Sequence, residues 1–356
     1  MSVSAKYHIY NFDEQDIKDA FKLPVFLDVI RSSAFTRLKS INFLGAIDYL
    51  FLPSGSNSFS RHSRFNHSLA VANLAQRYCH FKEIDGKDFE YCVVAALLHD
   101  IGHAPLSHSL EPAFKSIFQM DHHKSGEAIL RGDVQIGEKL SEVLARYGLN
   151  NFRVMSIING TDETIFNDLF ARSINVDTID GILRSAKYLY RTDLDITAVD
   201  VIDAIARISE DSEDILDSFW MLKNEVYDRV IQSDMGLMAD YLCKRYMEKY
   251  SGDFRSSYYF GTEAELRADH KELFSVLANF SESRCFPEKL VPDHHEMSFF
   301  QRTFYVDRSV KLNSAIDLNE RYRQRKDKRT VNIVKKRGRY GLDELPEYQG
   351  SLDLFK

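Results

Sequence analysis

The chain has little glycine, proline or cysteine for its length, and it lacks long apolar runs. Its 356 residues include 16 glycines, 7 prolines and 4 cysteines. So few glycines and prolines disfavour a fold of many short strands joined by tight turns, and they favour long helices. No apolar run approaches the roughly 20 residues that a helix needs to span a bilayer. We therefore expect a mainly α-helical globular protein with no membrane partner.

The cysteines are dispersed and include no CxxC pair. This distribution is more typical of buried free thiols in a reducing compartment than of disulfides. The first residues of the chain also lack the charged-then-apolar pattern of a signal peptide. These features predict a cytoplasmic protein.

Acidic residues outnumber basic ones, and the formal net charge is −7. The molecule as a whole therefore has no field that would draw it to nucleic acid. One segment differs, because residues 321–339 contain ten Lys or Arg residues and a single acid, Asp327. This basic segment could bind phosphates, a nucleic acid or an acidic partner, or it could be a solvated, partly mobile tail.

The spacing of apolar residues predicts a helical part followed by a smaller mixed part. Residues 66–81 and 88–103 show helical patterns, and the second is apolar nearly all round, as expected for a helix at the centre of a bundle. After about residue 285 the pattern changes, and aromatic residues between 299 and 306 indicate strands. We predict a helical domain over 1–285 and a mixed α/β appendage over 286–356, which includes the basic segment.

Histidine is concentrated in one part of the chain. Eight of the 12 histidines lie between His62 and His123. Clusters of this kind are typical of metal binding or proton transfer. The densest stretch begins at the adjacent pair His99-Asp100, which ends the apolar helix.

Three places in the sequence together suggest a metal centre. His67 opens one predicted helix, the pair His99-Asp100 closes the next, and Asp177 opens a third. Antiparallel packing of the first two helices would bring these ends together. Two imidazoles and two carboxylates could then hold one divalent metal and leave positions for water and a phosphate oxygen. Such ligands suit Mn, Fe, Ni, Co, Zn or Mg, and the sequence does not choose among them.

Around these residues the chain resembles the HD-domain metal-dependent phosphohydrolases, whose ligand pattern is H…HD…D. The stretches 63–69, 99–108 and 174–177 look like the deoxynucleoside triphosphate triphosphohydrolase branch. The resemblance extends over roughly residues 28–245. It implies an HD-type helical bundle, a nucleotide substrate, one divalent metal in each active site, and assembly as a homo-oligomer.

The resemblance also implies roles for single residues. His67, His99, Asp100 and Asp177 match the metal ligands. The remaining matches are catalytic or substrate-binding residues: Arg64 and His103 near phosphate, His108 near the leaving oxygen, His123 near the attacking water, Glu111 orienting His123, and Asn42, Lys223 and Tyr227 as looser substrate contacts. For Asp180, support of a ligand and a merely local role in a helix's first turn are both open, and His122 is interpreted as structural.

One departure from the branch leaves the substrate open. The branch commonly has a lysine on phosphate and a tyrosine on the nucleoside after the last ligand, where this chain has Thr178 and Gly181. The favoured reaction is hydrolysis of a (deoxy)nucleoside triphosphate at the α-phosphate, which gives nucleoside and inorganic triphosphate. The alternatives are a nucleotide phosphatase or phosphodiesterase on the same metal centre, and a nucleic-acid or partner-binding module on an HD scaffold.

Overall fold

The computed structural model describes residues 12–50, 62–162, 167–187, 194–283, 285, 290, 296–336 and 339–344. The helices up to residue 158 are α1 (Glu14–Ala20), α2 (Pro24–Arg31), α3 (Ser33–Arg37), α4 (Arg64–Phe81), α5 (Gly86–Leu98), α6 (Glu111–Phe118), α7 (His122–Arg131), α8 (Gln135–Arg146) and α9 (Asn151–Ile158). The later helices are α10 (Asn167–Phe170), α11 (Val176–Ala186), α12 (Ala198–Ala206), α13 (Glu213–Val226), α14 (Asp234–Lys249), α15 (Glu263–Asp269), α16 (Lys271–Ser283) and α17 (Asp317–Arg321). A π-helical turn, Tyr227–Ile231, continues α13.

A small antiparallel sheet follows most of the helices. Its strands are β1 (Glu296–Val306), β2 (Tyr322–Lys336) and β3 (Arg339–Glu344), with β2 in the centre. The mainly α prediction with a smaller mixed C-terminal part is confirmed. Among the helices that the structure describes, none is both long and apolar enough to cross a membrane.

Helices α4 and α5 form the central pair. The Ser63 side chain accepts a hydrogen bond from the backbone N–H of Asn66 and so caps the start of α4. Every residue of α5 from Tyr91 to Leu98 is buried, as expected for a central helix. The prediction that this helix continues to residue 103 is wrong. It ends at Leu98, and the chain then turns through the His-Asp stretch toward a second core.

Two hydrophobic cores lie on either side of that turn. The first contains Leu98 and Ile101, and it is shared with α11, α12 and α13. The second begins at Ala104 and continues under α14 and α16. The residues between Ile101 and Ala104 are thus held from both sides, which fixes the position of the histidines around them.

The basic segment is the central strand of the sheet and not a mobile tail. β2 pairs with β1 from Glu296↔Asn332 to Val306↔Tyr322. Trp220 of α13 lies edge-on to Phe304, with ring centroids 5.3 Å apart, so the sheet packs against the helices. Side chains from both β1 and β2 enter the second core. Residues 337 and 338 lie outside the described part, and the domain boundary at 285 stays a prediction.

The four cysteines are free thiols, as predicted. Cys79, Cys92 and Cys243 are buried, whereas Cys285 is exposed. The expectation of burial therefore fails only at Cys285, which lies beyond the last residue of α16.

Candidate metal centre and active site

Four side chains from three parts of the fold converge. His67 lies in the first turn of α4, His99 and Asp100 follow α5, and Asp177 lies in the first turn of α11. The Nε2 atom of His67 is 3.1 Å from Nε2 of His99 and 3.0 Å from Oδ1 of Asp177. It is also 3.5 Å from Oδ2 of Asp100. Ligand atoms about 2.1 Å from one metal and at right angles are about 3.0 Å apart, so these separations fit a single ion.

The hydrogen bonds of the two imidazoles leave their Nε2 atoms free to act as ligands. Nδ1 of His99 donates to the carbonyl oxygen of Ala96 at 2.8 Å. Nδ1 of His67 lies 2.6 Å from Oδ2 of Asp180. Both bonds place the proton on Nδ1 and leave a lone pair on Nε2. Two ring nitrogens that face each other among carboxylates attract a proton or a metal cation, and a divalent metal fits this set of donors.

Asp180 supports His67 from the side away from the candidate metal position. Its carboxylate accepts hydrogen bonds from Nε and Nη2 of Arg184 at 2.8 Å and 2.9 Å. Both side chains are fully buried. Burial lowers the pKa of His67, but hydrogen bonds with Asp177 and Asp180 outweigh it and raise the pKa to about 9. The centre therefore attracts positive charge, and Asp180 has a supporting role rather than a local one.

Arg64 secures a ligand as well as facing the cleft. Its guanidinium donates to Oδ2 of Asp100 at 2.6 Å, to Oγ of Ser107 at 2.8 Å and to the carbonyl oxygen of Phe43 at 3.0 Å. Arginine has five N–H donors, so two remain beyond these three. The resemblance assigns Arg64 to phosphate. In the structure its hydrogen bonds orient Asp100, and only the remaining donors are available to a substrate.

A second cluster of titratable residues lies beside the metal position. It consists of His103, His108, Glu111 and His122. The ring of His103 is stacked on that of His122, with centroids 4.7 Å apart and planes 6° apart. Nδ1 of His122 donates to Oε2 of Glu111 at 2.7 Å, and this oxygen is 3.8 Å from Nδ1 of His108. An imidazole held by a carboxylate is an arrangement suited to proton transfer.

Glu111 pairs with His122 and not with His123, so that assignment moves by one residue. His122 is the first residue of α7. This helix approaches Gly102 so closely that a Cβ on Gly102 would lie 2.0 Å from the carbonyl oxygen of His122. This close approach places the ring of His122 against that of His103. His123 also lines the cleft, but none of the contacts described for Glu111 involves it.

His103 offers the cleft an acceptor rather than a donor. Burial and the nearby Arg64 lower its pKa to about 3, so it is neutral. Its Nε2 atom lies 3.2 Å from Oδ1 of Asp100 and donates to it. The remaining Nδ1 atom is buried and has no hydrogen-bond partner among the described residues. A lone pair there suits a water or hydroxyl donor, and the contact of His103 with phosphate stays a prediction.

One cleft of about 710 Å³ is lined by three of the candidate ligands, His99, Asp100 and Asp177, and by the whole second cluster. Lys223 and Tyr227 also line the cleft, and their contact with substrate stays a prediction. The Lys223 ammonium lies 4.4 Å from the ring centroid of Trp220. Burial lowers the pKa of Lys223 to about 8. Residues of the sheet, including Phe300, form another part of the same wall.

Asn42 does not line this cleft. Its side-chain amide donates to Oε2 of Glu263 at 2.9 Å, and its backbone N–H donates to Oε1 at 2.8 Å. Glu263 also accepts from the hydroxyl of Tyr49 at 2.6 Å. In the structure the side chain of Asn42 is bound by a buried glutamate on α15, and its contact with a sugar stays a prediction. Nothing in the local sequence marks Glu263 as this partner.

Phe43 occupies the space beside Gly181. Its ring centroid is 4.6 Å from that of His67, and its Cζ atom would lie 3.5 Å from a Cβ on Gly181. Where the branch has a tyrosine on the helix after the last ligand, this chain presents an aromatic ring from another element. No local sequence pattern points to Phe43, because Phe43 and Gly181 are far apart along the chain.

The HD domain family model matches residues 64–208, from the start of α4 to just beyond α12. This part of the chain is similar to the HD domain family. All four candidate ligands lie within it, and HD domains form a family of metal-dependent phosphohydrolases. The bound cation expected for the family agrees with the donor set described above.

Several curated proteins are similar to parts of the chain. The uncharacterized protein YwfO of Bacillus subtilis is 32% identical over 45% of this chain and 36% of its own length. The deoxynucleoside triphosphate triphosphohydrolase SAMHD1 homolog of Dictyostelium discoideum is 28% identical over 57% of this chain and 39% of its own length. The uncharacterized protein MJ1154 of Methanocaldococcus jannaschii is 29% identical over 63% and 43%. The chain thus spans less than half the length of these relatives.

Proposed function

We propose that this protein hydrolyses (deoxy)nucleoside triphosphates at the α-phosphate and releases nucleoside and inorganic triphosphate. The observation that carries the proposal is that the metal-ligand cluster and the Glu111–His122 pair share one cleft. Hydrolysis of a phosphate ester needs charge neutralisation, an activated water and a proton for the leaving oxygen. The similarity to triphosphohydrolases of the SAMHD1 type supports the choice of substrate.

His67, His99, Asp100 and Asp177 would hold the divalent metal. A metal of this kind, when bound, polarises a phosphate oxygen and makes a water molecule more acidic. Arg64 keeps Asp100 in place through its hydrogen bond to Oδ2. The ligands then need no reorganisation when the substrate binds.

The histidines of the second cluster would move the protons. The reaction forms a bond between the water oxygen and the α-phosphorus and breaks the bond from that phosphorus to the 5′ oxygen. His122, held by Glu111, would accept the proton of the water. His108, whose side chain is 64% exposed, would give a proton to the departing 5′ oxygen. An imidazole can accept a proton at one ring nitrogen and donate one from the other, which suits both steps. Desolvation in the cleft and the neighbouring His103 and Arg64 hold the pKa of His108 well below its ordinary range, so its protonated form gives up the proton readily.

The test is to incubate the metal-loaded protein with deoxynucleoside and nucleoside triphosphates, nucleoside monophosphates and cyclic nucleotides, and to identify the products. We expect inorganic triphosphate and nucleoside. His99→Ala should abolish turnover. His80→Ala, the same change at an exposed position on α4, should not. Orthophosphate release from monophosphates, or full turnover by the His99 variant, would refute the proposal.

A second candidate is a nucleotide phosphatase or phosphodiesterase on the same centre. Thr178 and Gly181 favour it, because they replace the lysine and tyrosine that the branch uses on its substrate. The product analysis separates this candidate from the first. Homo-oligomer assembly, a cytoplasmic location and binding of nucleic acid or an acidic partner by residues 321–339 stay predictions.

A further inference from the structure

Two cations of the sheet line the same cleft as the metal ligands. Arg302 lies on β1 and Lys326 on β2, and the two are direct cross-strand partners. They lie more than 120 residues beyond Asp177, the last ligand along the chain, so only the docking of the sheet brings them to the site.

Side chains of the helical body fix the position of Arg302. Its backbone N–H donates to Oε1 of Gln232 at 2.9 Å, and Nε2 of Gln232 donates to the carbonyl oxygen of Phe300 at 2.7 Å. The N–H of Phe304 donates to Oδ1 of Asn224 at 2.9 Å. The outer edge of β1 is thus anchored to the helices. Because the backbone of residue 302 points away from β2, residues 302 and 326 form a non-hydrogen-bonded pair, in which side chains are closest.

Two like charges placed opposite each other in this way repel. Within the described part of the chain, neither cation has a carboxylate partner. Arg302 contacts the Tyr227 hydroxyl at 3.4 Å, and the Lys326 ammonium lies 4.6 Å from the ring centroid of Phe300. A pair of unneutralised cations on a cleft wall indicates a binding position for an anion.

The neighbouring basic residues of β2 behave differently. Arg323 lies 3.5 Å from Asp307, and Arg325 donates to Asp327 at 2.7 Å. Both alternate with residue 324 and residue 326 along the strand, so they face the other side of the sheet. The basic segment therefore has acid-paired arginines on one face and an unpaired lysine on the face toward the cleft.

Lys223 connects the sheet cations to the metal position. It is buried in the cleft wall, where its ammonium is attracted by Asp177 and repelled by Arg302. Positive charge thus continues from the candidate metal position through Lys223 to Arg302 and Lys326. This line of charge matches a chain of several phosphates and exceeds what a single phosphate needs.

We propose that Arg302 and Lys326 bind the phosphates of the substrate that lie farthest from the scissile bond, and so select a nucleoside polyphosphate over a monophosphate. The proposal deepens the proposed function and rests on it for the identity of the bond that is cleaved. The anion-binding role of the two side chains can be tested without any turnover.

The test uses Arg302→Gln, Lys326→Gln and the double variant, with Arg325→Gln as the control. The control removes the same charge from the adjacent position on the opposite face. The first measurement is the Kd for inorganic tripolyphosphate by titration calorimetry in the presence of a chelator. The second is KM and kcat for a deoxynucleoside triphosphate. Far-ultraviolet circular dichroism verifies that each variant is folded.

We expect each cleft variant to raise the Kd and the KM about tenfold, since hydrogen bonds to charged groups are worth this much or more. The kcat should change less than threefold, and Arg325→Gln should leave all three values within twofold. If no nucleoside triphosphate is hydrolysed but the two residues still govern tripolyphosphate affinity, the proposed function fails and the polyphosphate site stands. Unchanged tripolyphosphate affinity in the double variant overturns the site. The site is also overturned if the double variant loses affinity for an oligonucleotide, titrated in the same way, while its tripolyphosphate affinity is unchanged. That result would make the sheet a nucleic-acid surface.

Discussion

Replacing Asp180 by asparagine separates the support of the metal centre from the ligands themselves. Asp180 touches no candidate metal position, yet its carboxylate accepts hydrogen bonds from both His67 and Arg184. An asparagine has the same shape but only one acceptor oxygen, and its amide nitrogen can only donate. Whichever way the amide is turned, it presents N–H to an N–H donor of His67 or Arg184.

Two losses follow from this geometry. Loss of the carboxylate behind His67 weakens the orientation of its Nε2, and such changes typically lower metal affinity 10- to 100-fold. The guanidinium of Arg184, fully buried, also loses its counter-charge. Breaking a buried ion pair on one side costs about 3–5 kcal/mol of stability. We therefore expect Asp180→Asn to bind metal more weakly and to unfold more easily.

The assay is competition for Mn²⁺ or Zn²⁺ against a fluorescent chelator, with urea unfolding measured separately on metal-free protein. Asp203→Asn is the matched control, because Asp203 pairs with Arg77 at 2.5 Å but is partly exposed and touches no ligand. It should leave metal affinity unchanged and cost at most about 1 kcal/mol. If Asp180→Asn does not fold, the double variant with Arg184→Gln removes the stranded charge and keeps the metal test. Metal affinity within twofold of the original protein in the folded variant would refute the supporting role of Asp180.

Three further predictions concern other positions. His122→Gln should lower kcat at least 100-fold, because His122 holds the contact with Glu111. His123→Gln should lower it less than tenfold. The reverse order in steady-state kinetics would support His123 as the histidine near the attacking water. Gly181→Ala should raise the free energy of unfolding by about 0.5–1 kcal/mol in urea, since helical glycine is unfavourable and the new methyl would meet its neighbours no closer than 3.5 Å. Burial and Arg184 lower the pKa of His62 to about 4 in the folded protein. Between pH 6.5 and 4 the unfolded chain therefore binds a proton at His62 that the folded chain does not. The free energy of unfolding should fall by up to about 3 kcal/mol over this range as pH drops. His62→Gln should flatten that part of the pH dependence, and an unchanged slope would contradict it.

The parts of the site that lie at helix ends could be predicted from the sequence. His67, His99 and Asp177 each mark the beginning or the end of a strongly patterned helix, so antiparallel packing of α4 and α5 suffices to bring the first two together. The burial of α5 follows in the same way from its apolar character. In these cases a local pattern determines which end of an element reaches the site.

The rest depended on contacts that no local pattern encodes. Glu111 pairs with His122 where the sequence suggested His123, the next residue of α7. The close approach of α7 to Gly102 determines which of the two histidines faces Glu111. Asn42 precedes the first site residues closely along the chain, but its side chain is hydrogen-bonded to Glu263, more than 200 residues later. The composition of residues 321–339 could not show that the segment is a paired strand.

The balance of charge in the cleft explains why the sheet, and not the HD motif, should decide how many phosphates are accepted. With a divalent ion bound, the carboxylates of Asp100 and Asp177 balance its two charges, Arg64 leaves one positive charge beside it, and Asp180 is neutralised by Arg184. The centre alone would then hold one phosphate without a strong preference for the rest of the substrate. Arg302 and Lys326 add two charges that nothing described in the protein neutralises. A monophosphate bound at the metal would leave them unpaired, whereas a polyphosphate that reaches them would relieve their mutual repulsion. Under the proposed function, discrimination between these substrates should therefore weaken steeply with salt, because the exposed cations are screened more than the buried centre.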